Sequence, residues 1–272
     1  MHRVHLPSCG STNEHFRNNA DTVTPAQTEI PCKVCGTPAP LWDSCDFNTH
    51  CMRPTEPDLL PPAGIAVDYH RCPACGFLFT PYMDDFTQAD FRARVYNADY
   101  HLFDPGFEEE RPTEFAQRLL GHFGDLPLNI CDYGGGRGRM ASIINSAGRT
   151  LRAKTWDPFF NHQAMPDKTF DLVVSFEVFE HSPTPAHSLA QMLKLTDANR
   201  LILLSTLCQP PDIDAQRLTW WYCAPRNGHI SLHTNASLDY LADQAGIAVA
   251  HFGVGTHLFY DVIPDWIAPY FR

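Results

Sequence analysis

The stretch ICDYGGGRGRM, from Ile130 to Met140, places four glycines within five consecutive positions. It follows a short apolar segment and precedes a run with helical periodicity, so the glycines are predicted to form a turn from a strand into a helix. Such a turn lets the backbone approach a ligand without Cβ atoms in the way. Because no Gly-Lys-Ser/Thr follows, it is not a phosphate-binding Walker loop. A plain flexible turn is the alternative interpretation.

The segments after this turn alternate between strand and helix patterns. Strands are predicted at 128–133, 151–157, 170–176, 200–206, 248–255 and 256–263, and helices at 111–123, 138–148, 186–195 and 237–247. This alternation is typical of a mainly parallel sheet with helices on both faces. The predicted fold class is therefore α/β.

An acidic residue, Asp157, ends the second of these strands, 19 residues after Gly138. In an open α/β sheet a carboxylate at that position can accept hydrogen bonds from both hydroxyls of a ribose. The glycines have the spacing G-x-G-x-G, with Asp132 two residues before the first of them, which differs from the G-x-G-x-x-G of dinucleotide-binding proteins. The pattern favours a nucleoside-containing ligand at this turn.

Three segments, ICDYGGGRGRM, TWDPFF and FDLVVSFEVFEHSPTP, together resemble class I S-adenosylmethionine-dependent methyltransferases over residues 112–263. The resemblance implies a Rossmann-like sheet and S-adenosylmethionine as the cofactor. It implies that the glycines line the methionine and ribose part, that Asp157 holds the ribose hydroxyls, and that SFEVFEH lies beside the transferring methyl. The residues it implies for cofactor binding are Asp132, Gly134, Gly136, Gly138, Asp157, Phe176 and Glu177.

The connection between two of the strands departs from the family pattern. Only 12 residues, Pro158 to Thr169, separate Asp157 from Phe170. Many family members have room there for another strand and for an acid that binds the adenine amino group. We expect Met165 to pack on the adenine ring and Asp167 to replace that acid.

Two matched cysteine pairs, CKVCG and CPACG, are separated by 36 residues. Four thiolates in two such turns suit tetrahedral zinc, and a set without an open position predicts a structural ion. The predicted ligands are Cys32, Cys35, Cys72 and Cys75, with about one zinc per chain. Buried or redox thiols are one alternative, and a ligand drawn from Cys45, His50 or Cys51 is another. A zinc module ahead of this methyltransferase pattern is similar to sugar C-methyltransferases and their relatives.

Methyl transfer to a hydroxyl or a carbon acid requires a base, and histidine is the usual one near neutral pH. Position selects three of the 14 histidines. His181 follows a strand at the carboxyl edge of the sheet, and His229 and His233 lie in the stretch WWYCAPRNGHISLHT, which resembles the substrate-facing loop of these enzymes. For each histidine, a hydrogen bond that only fixes the loop is the alternative. Aromatic residues expected to wall or cover the acceptor are Trp220, Trp221, Tyr222, Tyr96 and Tyr100.

The composition restricts partners and location. A formal net charge of −11 disfavours nucleic acid and anionic membranes. No apolar run approaches the roughly 20 residues of a membrane span, and the N-terminal stretch lacks a hydrophobic signal core. A cytoplasmic protein is therefore expected.

The predicted organisation has four parts. Residues 1–30 form a poorly ordered extension, 31–83 a zinc-binding module, 84–111 a bridging or cap segment, and 112–272 the S-adenosylmethionine-binding methyltransferase domain. The predicted function is methyl transfer to a small molecule or saccharide with a histidine base. The alternatives are an RNA methyltransferase whose zinc module grips nucleic acid, and a non-catalytic cofactor-binding module.

Overall fold

The computed structural model describes residues 29–160 and 164–271. The extension predicted for residues 1–30 lies outside this range except for its last two residues. The strands are β1 (Glu29–Pro31), β2 (Pro38–Asp46), β3 (Ala66–Arg71), β4 (Leu78–Phe79), β5 (Asn129–Tyr133), β6 (Arg152–Trp156), β7 (Leu172–Phe176), β8 (Ile202–Ser205), β9 (Ser231–Leu232), β10 (Ala248–Phe252) and β11 (Thr256–Tyr260). The α-helices are α1 (Gln88–Arg94), α2 (Tyr100–Phe103), α3 (Glu110–Phe123), α4 (Arg139–Ser146), α5 (Pro185–Leu195), α6 (Ile213–Gln216) and α7 (Asn235–Ala245).

The larger sheet has six strands in the order β10-β11-β8-β7-β5-β6. The strands β6, β5, β7 and β8 are parallel, whereas β11 and β10 are antiparallel to their neighbours. The prediction of a mainly parallel α/β sheet is thus confirmed. The described part of the short connection between β6 and β7 contains no further strand.

Neighbouring residues of a strand point to opposite faces of a sheet. Apolar residues point to both faces of this one, and helices cover both. Ile130 packs into one core with residues of α3 and α4, while the next residue, Cys131, packs into a second core with residues of α5 and α7. The central strand β7 is buried along its first four residues, as expected for a strand covered on both faces. The carboxyl ends of β5, β6 and β7 are therefore held at one edge of a rigid sheet.

The smaller sheet is antiparallel and has the order β1-β2-β3-β4-β9. Its last strand comes from much later in the chain, since Leu78 of β4 pairs with Leu232 of β9. Strand β9 belongs to the range predicted for the methyltransferase domain, so the two sheets are linked by the loop that precedes α7. The division of the chain into four parts stays a prediction.

The bridging segment contains α1 and α2. A capping box at Thr87 and Asp90 starts α1. Buried aromatic residues of these helices, Phe91, Tyr100 and Phe103, share a core with Tyr69 of the smaller sheet and with Tyr222. None of the described helices has the length and apolar character that a bilayer span requires.

Candidate active site

The turn between β5 and α4 depends on glycine for two reasons. Gly134, Gly136 and Gly138 have φ of +76°, +57° and +79°, a region that other residues rarely adopt. The turn is also crowded, since a Cβ atom on Gly134 would lie 2.7 Å from both methyl carbons of Val178. At Gly136, by contrast, the nearest described atom to a Cβ would be one of Phe160 at 3.9 Å. The turn thus packs tightly against the sheet and leaves its backbone open on the other side.

Asp132 lies at the end of β5 and is 3% exposed. Its Oδ2 accepts a hydrogen bond from Thr155 Oγ1 at 2.8 Å. Burial raises the pKa of Asp132 to about 7. A Cβ atom on Gly135 would lie 1.9 Å from Asp132 Oδ2. The carboxyl of Asp132 therefore packs directly against the backbone of the glycine turn.

Asp157 at the end of β6 is held by three backbone amides. Its Oδ2 accepts from Gly136 N at 2.9 Å, and its Oδ1 accepts from Phe159 N at 2.7 Å and Phe160 N at 3.2 Å. These bonds fix the carboxylate between the glycine turn and the β6 end. Oδ1 already accepts two hydrogen bonds, whereas Oδ2 accepts one and has a second lone pair available for a ligand hydroxyl.

A cleft of about 570 Å³ opens along this edge of the larger sheet. The carboxyl ends of β5, β6 and β7 form its floor, and Tyr96 and Tyr100 of the bridge line its other side. The cleft collects most of the predicted site residues, namely Asp132, Gly134, Gly136, Gly138, Asp157, Phe176, Glu177 and His181. Residues distant in the sequence therefore face one space.

The structure does not place Met165 with these residues. It is partly buried and packs against the core beneath α5 and α7, and the described lining of the cleft does not include it. Asp167 is exposed. Because Met165 is only partly buried, its exposed part can still contact a ligand, and the adenine contact stays a prediction.

Glu177 has a strained backbone at the end of β7, with φ of +54°. Its amide donates to Ser205 Oγ at 2.9 Å, and its Oε1 accepts from Ser205 Oγ at 2.8 Å. Burial, together with the neighbouring carboxyl of Glu180, raises the pKa of Glu177 to about 7. Strain held in this way is common at ligand sites, and Glu177 does line the cleft.

His181 and His229 lie together, with ring centroids 4.9 Å apart. His181 Nδ1 lies 3.1 Å from the carbonyl oxygen of Gly228, and His229 Nδ1 lies 2.9 Å from that of Tyr222. A carbonyl only accepts, so each Nδ1 carries a proton and each neutral ring has its lone pair on Nε2. Burial lowers the pKa of His181 to about 4 and that of His229 to about 3. Both rings are therefore neutral at pH 7.

His233 is placed differently from its prediction as an active-site base. Its ring is fully buried between Phe77 and Phe179, at centroid distances of 4.8 and 4.9 Å. Its Nδ1 lies 3.1 Å from Ser237 Oγ at the start of α7. It lines neither the cleft nor the smaller cavity described next. The geometry supports the alternative interpretation, a histidine that fixes the loop.

A smaller cavity of about 60 Å³ adjoins the cleft and shares Arg111, Glu177 and His181 with it. We call it the inner cavity; it is lined by Cys51, Asp104, Arg111, Glu177, Glu180, His181, Trp221, Tyr222, Asn227 and His229. Glu180 is 0% exposed there, and within the described part of the chain no hydrogen bond of normal geometry reaches its carboxyl oxygens, although the hydroxyls of Tyr222 and Thr206 lie near. Sequence reasoning did not assign Glu180 a role, although its position directly before His181 was a signal.

The four predicted cysteine ligands converge beside the smaller sheet. Their Sγ atoms all lie within 4.8 Å of one another, with Cys32 and Cys75 at 3.7 Å and Cys35 and Cys72 at 3.3 Å. Tetrahedral zinc with Zn–S bonds of about 2.3 Å requires S–S distances of about 3.8 Å. A disulfide requires about 2.05 Å, so the geometry fits a metal centre. The turns also match, because Gly36 N and Gly76 N donate to Cys32 O and Cys72 O, both at 2.9 Å.

Comparisons with known proteins agree with this architecture. Residues 98–251, more than half of the chain, match the family model for a methyltransferase domain. An O-methyltransferase family protein from Burkholderia thailandensis has a similar structure, with a TM-score of 0.50 and 14% identity over 66% of this chain and 64% of that one. This likeness shows the fold, and the aligned region spans less than two thirds of that protein. No curated protein sequence matches significantly.

Two further solved structures are more distant. The magnesium protoporphyrin IX methyltransferase from Synechocystis PCC 6803 has a TM-score of 0.40 and 16% identity over 66% of this chain and 94% of its own. Human N-acetylserotonin methyltransferase has a TM-score of 0.40 and 15% identity over 58% of this chain and 55% of its own.

The family match begins in the bridge and ends in β10, so it spans the glycine turn, Asp157 and both cavity histidines. The strand order of the larger sheet and the similarity to the solved structure both indicate a Rossmann-like sheet. The chain belongs to the family of methyltransferase domains.

Proposed function

We propose that the protein transfers a methyl group from S-adenosylmethionine to a small molecule or a saccharide. The observation that carries this proposal is the single cleft that joins the glycine turn and Asp157 at one end to His181 and the tyrosines of the bridge at the other. A volume of about 570 Å³ is typical of small-molecule sites.

The residues at the glycine end fit the proposed cofactor. Gly136 leaves open space beside its backbone among the described residues, and Asp157 is a fixed carboxylate whose Oδ2 has a lone pair available for a ribose hydroxyl. When bound, the cofactor supplies an activated methyl group on a sulfonium sulfur. The contribution of this edge of the sheet is to hold that methyl in line with the acceptor atom.

A base is needed at the other end of the cleft if the acceptor is a hydroxyl or a carbon acid. We propose the pair His181 and His229 for this role, with His181 as the imidazole that lines the cleft. The Gly228 carbonyl holds its Nδ1 proton, which leaves Nε2 free to take the acceptor proton. His229 lies behind it in the inner cavity, where it positions the first ring.

The four-cysteine cluster is proposed to hold one structural zinc ion. It lies close to the loop before α7, because Thr234 Oγ1 donates to Cys75 O at 2.6 Å and Gln209 Nε2 donates to Gly76 O at 2.8 Å. The ion would thus stabilise the part of the chain that carries His229.

The charges at the cleft mouth do not favour an RNA substrate. Arg137 and Arg139 line the cleft, but Arg137 Nε lies 3.4 Å from Glu108 Oε1 and Arg139 Nε lies 2.8 Å from Glu109 Oε2. Paired arginines offer a phosphate backbone less attraction than free ones. The net charge of −11 acts in the same direction.

The test uses the purified protein, methyl-labelled S-adenosylmethionine and an extract of its source cells, with products separated into small molecules, RNA and protein. We expect label in the small-molecule or saccharide fraction, and none with an Asp157→Ala variant. Label in RNA would contradict the proposed acceptor class. Cofactor binding without label in any fraction would favour a non-catalytic binding module.

A further inference from the structure

Three potential metal ligands meet at the inner cavity, apart from the cysteine cluster. Glu180, His181 and His229 each offer one ligand atom, and these atoms lie within 4.8 Å of one another. His181 Nε2 lies 3.9 Å from Glu180 Oε1. Two imidazoles and one carboxylate form a donor set that binds zinc and other divalent transition metals.

The surroundings of the two histidines are those of metal ligands. A histidine that binds a metal through one nitrogen almost always donates its other N–H to a carbonyl or carboxylate, which fixes the ring. His181 and His229 both do so, through Nδ1 to the carbonyls of Gly228 and Tyr222. Two Nε2 lone pairs are thereby left in one small space.

Glu180 supplies an independent observation. It is fully buried and lines the inner cavity, and among the described residues no hydrogen bond of normal geometry reaches either carboxyl oxygen. Burial raises its pKa, an effect that the nearby hydroxyls of Tyr222 and Thr206 oppose. A buried carboxyl with so few partners either stays protonated or pairs with a cation. An ion in the cavity would supply that cation.

The lining of the inner cavity is also rich in acidic groups. It contains the carboxyls of Asp104, Glu177 and Glu180 and one guanidinium, that of Arg111. Arg111 Nη2 is already bound to Asp104 Oδ2 at 2.7 Å. A volume of about 60 Å³ suffices for an ion with one or two waters.

We propose that Glu180, His181 and His229 bind a divalent transition-metal ion of the zinc class at the acceptor end of the cleft. This proposal rests on the proposed methyl transfer and replaces one part of it: His181 Nε2 binds the metal instead of taking the acceptor proton, and the ion activates the acceptor. Three protein ligands leave coordination positions open, as in catalytic zinc sites. An acceptor oxygen that faces the cleft would occupy one of them.

The ion would act as a Lewis acid on an acceptor hydroxyl. Zinc lowers the pKa of bound water to about 7, and the pKa of a bound hydroxyl falls in the same direction. The hydroxyl proton leaves to water in the cleft, the oxygen forms a bond to the methyl carbon, and the sulfonium carbon–sulfur bond breaks. The products are a methyl ether, S-adenosylhomocysteine and one proton, so the step needs no oxidant or reductant.

The experiment counts metal ions in the full-length protein. The chain is purified without chelator, saturated with zinc chloride, passed through a desalting column and analysed by mass spectrometry for zinc per chain. We expect two ions in the wild type and one in Glu180→Gln and in His229→Gln. The matched control is His187→Gln, which changes an exposed histidine that also lines the cleft and should retain two ions.

The retained ion reports on folding. Glu180→Gln replaces a buried acid by an amide of nearly the same size, so the variant should fold and keep its cysteine-bound zinc. A zinc titration should show affinity for the second ion reduced by more than 10–100-fold, which is the effect of losing an outer partner alone. One ion in the wild type, or two in both variants, would overturn the proposal.

The zinc count and the methyl-transfer assay test the metal site and the proposed function separately. Methyl transfer with one ion per chain would overturn this metal site and leave His181 as the base. Two ions with no methyl transfer to any acceptor would support the metal site and contradict the proposed activity.

Discussion

The two sides of the cleft are built in opposite ways. On the cofactor side, the turn at 134–138 and Asp157 follow two neighbouring parallel strands and lie within 24 residues of one another. On the acceptor side, contacts join segments more than 150 residues apart, such as Tyr69 OH to His229 O at 2.7 Å and Thr234 Oγ1 to Cys75 O at 2.6 Å. The cofactor side is built from contacts that are local in the sequence, so it can be stable without the four-cysteine cluster. The acceptor side depends on contacts between distant segments, and we expect the four-cysteine cluster to anchor them.

The largest effect is expected from removing that anchor. Cys72→Ser should abolish binding of the proposed zinc ion, and the binding energy of zinc in zinc-finger peptides is about 10–16 kcal/mol. Because Cys75 O and Gly76 O hold Thr234 and Gln209, amides in 207–235 should lose protection in hydrogen exchange, while those in 129–157 keep it.

Cys208→Ser is the matched control, since Cys208 lies outside the cluster. It should leave both regions protected. Equal loss of protection in the two regions of Cys72→Ser would show that the two sides form one cooperative unit.

The next effect tests the cofactor side. Gly134→Ala combines a positive φ, which disfavours alanine by about 1–2 kcal/mol, with contact against Val178, where overpacking is destabilising by about 1–3 kcal/mol. We expect a loss of about 3 kcal/mol in the free energy of unfolding, measured with urea.

Gly148→Ala separates these two contributions. Gly148 also has a positive φ, +68°, but a Cβ atom there would have no described neighbour within 4 Å. It should lose only about 1–2 kcal/mol. Adding Val178→Ala to Gly134→Ala should recover part of the difference, and no recovery would contradict the packing argument.

A smaller effect concerns His233, which the structure assigns to packing. Burial lowers the pKa of His233 from the usual 6.5 to about 3. Between these two pH values the histidine is protonated in the unfolded chain and neutral in the folded chain. Stability from this residue is present above pH 6.5 and is lost as the pH falls. Relative to His233→Gln, the wild type should lose about 2 kcal/mol between pH 7 and pH 5. Urea unfolding at both pH values measures it, and a pH-independent difference would contradict the assignment.

The sequence predicted the larger sheet well because its signals are local. Each strand carries its own apolar pattern, and glycine at 134–138 is required by backbone conformation and close packing. The cysteine pairs likewise carry their geometry in their spacing. The strand β9 was not predicted, since two residues that pair with β4 leave no pattern of their own.

The acceptor end could be predicted only in part. The position of His181 after β7 indicated its place, but His229 and His233 lie four residues apart in one loop and differ only in what surrounds them. One ring faces a cavity and the other lies between two phenylalanines. The burial of Glu180 depends on Tyr222 and other residues brought in from distant segments. No spacing in the sequence encodes those contacts.

The central claim is that Asp157 binds the cofactor and that His181 acts on the acceptor. The most direct test is isothermal titration of S-adenosylhomocysteine into the wild type, Asp157→Asn and His181→Gln. Hydrogen bonds to a charged group contribute about 1.5–3 kcal/mol, so the account predicts a Kd raised roughly 10–100-fold for Asp157→Asn. It predicts an unchanged Kd for His181→Gln. Equal weakening in both variants, or none in either, would contradict the division of the cleft.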